Sequence, residues 1–240
     1  MCKNCHQVFK GHYCNNCGQS AETHKINAHF LWHDIQHGLL HFDKGILYSL
    51  KQLFTRPGHS IREFIEGKRA RHFKPLSLVV VLATLYGLLY HYFHIDTFDH
   101  VEAPIDSNFL NEWFATHFSW VTVGSIPIYT IGTYLVFKNQ GYNFVELFVL
   151  NTFKAAQRIS VQLLTIPAMI FLNHTSHMQQ YTYTMYIIGI VLIFWTNIQF
   201  FNKMSKTKAF FLSILSHLIF LVCFFIIMII ILLLSGNFKT

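Results

Sequence analysis

Cys2-x-x-Cys5 and Cys14-x-x-Cys17-Gly18 crowd four thiols into the start of the chain. Each C-x-x-C turn brings two sulfurs to one ion, and two such turns close a tetrahedron, the geometry of structural zinc. Four thiolates leave no open coordination position, so the spacing points to a structural ion rather than a catalytic one. Gly18 supplies permissive backbone just past the second knuckle. Zn2+ is therefore the ion expected at Cys2, Cys5, Cys14 and Cys17. An iron tetrathiolate has similar spacing, and unmetallated cysteine is the plainer alternative. Two disulfides would need an oxidising compartment, and a redox C-x-x-C would sit in an α/β setting that does not follow here. His6 and His12 are close enough in sequence to replace a ligand, although four cysteines suffice.

Two further sets of residues could do chemistry. His29, His33, His37 and His41 recur at steps of four, a spacing that suits a second metal or a pH-sensitive row. A polar helix face that happens to be rich in histidine explains them equally. Arg62, Lys68, Arg69, Arg71 and Lys74 lie just ahead of the first long apolar run, and Lys154 and Arg158 fall inside a later one. Beside an anionic leaflet each basic residue contributes about 1 kcal/mol, so the first five suit lipid headgroups or another anionic ligand, or serve as a topology signal alone. Nucleic acid is the weaker reading of a formal net charge of +7, because these charges sit where lipid phosphate waits.

The elements that must position these residues are membrane helices. Hydrophobic residues make up 52% and charged residues 12%, too apolar for a water-soluble domain of this length. The start is rich in cysteine and the first long apolar run begins near residue 75, so no signal peptide is expected there. Spans need roughly 20 mainly apolar residues. The candidates are 76–93, 118–137, 159–172 extended backward over 143–158, 183–201 and 209–234, with the third the weakest. On that third segment Asn151, Lys154, Arg158 and Gln162 share one arc, which either lies at the cytoplasmic interface or lines a cavity. The expected fold class is an all-α integral membrane helical bundle of about five transmembrane helices with a small N-terminal zinc ribbon. Residues 1–22 form the ribbon, 23–74 amphipathic helices at the interface, and 75–240 the bundle. Pro57-Gly58 breaks the middle segment, whose apolar faces are too few for an independent core and must bury against lipid or the bundle.

Lys and Arg set the orientation. Most lie before the first span; residues 95–117 carry none but hold Asp96, Asp99, Glu102, Asp106 and Glu112. Lys138 follows the second span, 173–182 has no formal charge, and Lys203, Lys206 and Lys208 follow the fourth. That alternation puts the N-terminus inside, in the cytoplasm, and the C-terminus outside, with Lys239 dissenting. Tyr90, Tyr92, Trp113, Trp120, Tyr181 and Tyr183 are expected as an outer aromatic belt.

Arg56-Pro57-Gly58, the run 61–69 (IREFIEGKR) and Phe73-Lys74-Pro75, with the knuckles and Gly18-Gln19, resemble a bacterial family catalogued as domain of unknown function 3667. The 143–146 stretch (NFVE) agrees with it too. The resemblance implies a zinc ribbon ahead of membrane helices and supplies no activity. The knuckles are similar, more loosely, to those of the Arv lipid-homeostasis proteins. No HExxH, GxSxG or P-loop occurs, so a non-enzymatic membrane protein is expected. It would dock a protein partner through the ribbon or sense, with a small transporter or lipid-handling protein as the alternative. Spacing and composition do not fix the oligomeric state.

Overall fold

The computed structural model describes residues 1–21, 23, 25–27, 45–97 and 107–234, and the described secondary structure is helical apart from one isolated bridge, Tyr13 to Ser20. Helices α1 (Gly45–Thr55) and α2 (Pro57–Glu66) precede α3 (Pro75–Tyr92) and α4 (Ser107–Phe137). After a 3-10 turn come α5 (Phe144–Leu164), α6 (Ile166–Leu172), α7 (His177–Phe200) and α8 (Lys206–Leu234).

Four helical segments are long and apolar enough to cross a membrane: Pro75–Tyr92, Ala115–Gln140, His177–Phe200 and Lys206–Ile227. The count becomes five if α5 and α6, bent by 51° at their junction, form one broken span. The bend has a local cause. Pro167 has no N–H to continue the helical ladder, and the Thr165 N–H bonds the Val161 and Gln162 carbonyls instead. The Thr165 hydroxyl meets the Tyr181 hydroxyl at 2.7 Å. The bent pair joins the two ends of the bundle. At one end Asn143 caps α5 in a capping box with Glu146, and its amide donates to the Ile26 carbonyl at 3.2 Å. At the other, Asn173 donates to the His94 carbonyl and accepts from the Asp96 N–H, both at 2.9 Å, where α3 also ends.

Helices α1 and α2 are not splayed on a lipid surface. Leu53, Ile61, Phe64 and Ile65 enter the same apolar core as Leu147, Phe153 and Phe200, which settles the bury-on-bundle alternative. Pro57 begins α2 at the position where a missing N–H is harmless. Gly58 then lets the α2 backbone touch α7: a Cβ there would lie 2.3 Å from the Phe200 nitrogen and 2.4 Å from the Thr196 oxygen. Gly67 ends α2 in the left-handed region at φ 115°, with Lys68 N–H closing back on the Glu63 carbonyl. Close approach recurs between α4 and α8, where a Cβ on Gly132 would lie 2.7 Å from the Ser216 oxygen. Of the aromatic residues expected at the outer boundary, Tyr92, Trp113, Trp120 and Tyr183 are exposed. Tyr90 is buried in the protein, its hydroxyl donating to Thr97 at 2.8 Å, and Tyr181 is half-buried.

Candidate functional site

The two knuckles have the same backbone. Cys2 N–H bonds the Gln7 carbonyl and His6 N–H returns to Cys2; Cys14 N–H bonds the Gln19 carbonyl and Gly18 N–H returns to Cys14. The residue after each second cysteine is left-handed, at φ 60° for His6 and 71° for Gly18. The turns face each other, with Cys2 and Cys17 sulfurs 3.5 Å apart and Cys5 and Cys14 sulfurs 3.6 Å apart. All four sulfurs lie within 4.8 Å of one another. A tetrahedron with Zn–S bonds of about 2.3 Å has an edge of about 3.8 Å, so the set fits a tetrathiolate ion. Disulfides are not present among these thiols. His6 and His12 are not among the grouped ligands. The Gln7 main chain, followed by the Asn16 side chain, favours the Cys5 thiolate and lowers that group to about 6. The Asn4 side chain lowers Cys17 in the same direction. A cation-binding site needs thiolates.

The knuckles are latched to the membrane-proximal helices. The Gln19 side-chain oxygen accepts from the backbone N–H groups of Arg69 at 3.0 Å and Ala70 at 2.8 Å. Lys3 donates to the Thr23 carbonyl at 2.6 Å, directly over Gly67, where a Cβ would lie 2.8 Å from the Lys3 chain. Sequence reasoning quoted Gly18-Gln19 without finding this latch. A glutamine after a metal knuckle was the available signal, but the N–H donors it accepts from lie fifty residues on.

The basic residues ahead of the first span separate into different roles. Arg62 donates to the Gln199 and Phe200 carbonyls at 2.9 and 2.8 Å, capping the C-terminus of α7. Arg69 donates to the Phe64 carbonyl and lies over the Phe64 ring. Lys68 and Arg56 pair with Glu63, and although partial burial works to raise that carboxyl, the ion pairs outweigh it and hold it below its ordinary value. Arg71 is exposed and Lys74 is half-buried at the start of α3. His29, His33, His37 and His41 lie outside the described residues.

Inside the bundle, the middle of α5, from Glu146 to Ser160, is largely buried. Phe153 packs on Phe64 at 5.2 Å, and Gln157 donates to the Leu53 carbonyl at 2.6 Å. Lys154 donates to Asn197 at 3.0 Å and sits over the Tyr129 ring. Asn151 donates to the Thr130 and Thr133 hydroxyls, each at 3.2 Å. Helices α1, α2, α3, α4 and α7 surround this polar arc. Arg158 and Gln162 open onto a cavity of about 480 Å³ among α3–α8. Lys154 and Arg158 share a narrow recess with Ser125, Tyr129, Asn151 and Ile193. Arg69 and the other basic residues ahead of α3 line neither space.

Residues 43–87, which cover α1, α2 and most of α3, match a family described as "Protein of unknown function (DUF3667)". The match takes in the RPG-to-FKP segment and stops short of the knuckles and of Asn143. No curated protein and no solved structure matches the chain.

Proposed function

We propose that this is a five-span, non-enzymatic protein of a bacterial inner membrane whose cytoplasmic zinc-bound ribbon is a docking or sensing head built rigidly onto the bundle. One observation carries the reading: a closed four-sulfur set, latched by Gln19 to a turn whose neighbouring helix α2 is wedged against α7 at Gly58. A closed tetrathiolate offers no position for a substrate, so the ion serves shape. The placement of Lys and Arg supports the ribbon-inside orientation. The contacts of Asn143 and Asn173 at opposite ends support counting α5–α6 as a crossing.

Elemental analysis of purified protein is expected to find about one zinc per chain, lost in Cys14→Ser, with new protease cleavage around Gly67 in that variant. Zinc binding supplies about 10–16 kcal/mol in small peptides, enough to fold the ribbon without a core. Metal-free wild type with an uncleaved turn at Gly67 overturns the reading. A second reading, lipid handling or transport by the bundle, is favoured by the 480 Å³ cavity at Arg158.

A further inference from the structure

The cavity at Arg158 lies among α3–α8 and takes no part in the ribbon or its latch. Its walls are mainly apolar, with Phe118, Ile159, Met169, Met185 and Phe220 among them. Arg158 alone brings a fixed charge to the lining. Its buried Nε has no hydrogen-bond partner among the described residues, and no carboxylate there pairs with it. The other titratable groups on the wall have partners of their own, Tyr86 on the Met169 sulfur at 3.7 Å among them. The His217 ring lies between the Tyr129 and Tyr186 hydroxyls at 3.0 and 3.1 Å, and Tyr181 bonds Thr165.

A buried guanidinium without an acceptor is unfavourable, and more so at membrane depth. Its planar fork matches the paired oxygens of an acid. Gly189 lies beside Arg158 on the cavity wall, where a Cβ would make ordinary contact with the Arg158 Cδ at 3.5 Å and a longer side chain would crowd the space next to the guanidinium. Lys154 stands behind Arg158 as a second cation, bonded to Asn197, with a recess of only about 10 Å³ between them. The reachable charge is thus one, which balances a carboxylate rather than a doubly charged phosphate. The volume falls in the range of about 300–1,000 Å³ typical of small-molecule sites and suits one chain with a compact head.

We propose that this cavity binds a long-chain carboxylic acid, its carboxylate paired with Arg158 and its chain lying against Phe118, Met169, Met185 and Phe220. The site rests on the bundle-handling reading only in its location, since binding needs no transport.

The test is equilibrium binding of labelled palmitate to the full-length protein in neutral detergent, beside hexadecanol and single-chain lysophosphatidate as competitors. The expected result is saturable binding near one per chain, with palmitate favoured over hexadecanol about tenfold or more. Arg158→Gln removes that preference, Arg158→Lys keeps part of it, and Gly189→Leu lowers palmitate affinity about tenfold by filling the head space. Zinc content and thermal unfolding check that each variant folds. If Arg158→Gln does not fold, Gly189→Leu and the wild-type preference decide. Unsaturable uptake, equal affinity for acid and alcohol, or a preference unchanged in the folded variants overturns the proposal. A tenfold preference for lysophosphatidate over palmitate overturns the carboxylate assignment. Binding as expected without palmitate exchange between vesicles rejects lipid handling and leaves the site standing.

Discussion

Helices α5 and α8 invert the usual relation between composition and burial. The last helix is an almost unbroken run of Ile, Leu and Phe, yet Phe211, Val222, Phe225 and Ile226 are exposed on the surface of the bundle. The fifth carries Asn151, Lys154, Gln157 and Arg158, and it is enclosed by other helices. In water the more polar helix would face solvent. Lipid tails solvate Ile and Leu as well as another protein helix does, so apolar surface gives helices no reason to associate. Close backbone approach and satisfied polar groups are what remain. The comparison teaches that in this chain polar content marks the centre and apolar content the rim.

If that is right, the outer helix is held at small-residue contacts and not by its apolar face. Gly132→Leu drives a side chain into the α8 backbone at Ser216 and is expected to lower stability by about 3 kcal/mol or more. Gly124→Leu, on the same helix with open space around it, is expected to change stability by less than about 0.5 kcal/mol. Thermal unfolding in detergent measures both, and equal effects would break the comparison. Next in size is Asn151→Leu, which removes the amide that donates to the Thr130 and Thr133 hydroxyls in the interior and leaves those hydroxyls only their carbonyl and Ser216 contacts. A loss of about 1–3 kcal/mol is expected there, against almost none for Phe225→Leu on the exposed face of α8.

The smallest effect is one of pH. Burial, with Arg56 adding to it against Glu63, lowers His72 to about 4, among Tyr48, Phe64 and Phe153. Its folded value lies below its unfolded one of about 6.5, so the unfolded chain binds the proton between those values and acid favours unfolding. Stability is then complete above about pH 6.5 and declines as pH falls toward 4, by about 1 kcal/mol between pH 7 and 5.5. His72→Phe is expected to flatten that slope. An unchanged slope in the variant would assign the acid sensitivity elsewhere.

Local patterns were the readable part of this chain. The two knuckles predict their own sulfur cluster because each turn is made by consecutive residues. Apolar runs predict the helices for the same reason, and the arc of Asn151, Lys154, Arg158 and Gln162 follows from helical spacing. What surrounds that arc was open, since interface and cavity both accept polar residues. Packing of α1 and α2 on one side and α7 on another encloses it, through contacts far apart in sequence. Pro57-Gly58 read as a chain break because its partner on α7 is far along the sequence, and Gln19 was mute for the same reason. The bend at Pro167 was within reach of local reasoning: a proline at the second residue of an apolar segment ends the preceding helix.

The contact at Gly58 has a consequence for biogenesis. The Gly58 N–H donates to the Gln199 side chain at 3.2 Å, and Arg62 caps the same helix end. A ribosome makes α2 early and α7 late, so the front of the protein waits, its face toward α7 bare, while helices α3 to α6 are made. Contacts of such sequence separation close slowly. Nascent chains arrested before α7 emerges should therefore display an α2 open to protease that later chains protect. A segment synthesised early becomes one of the last parts of the molecule to be completed.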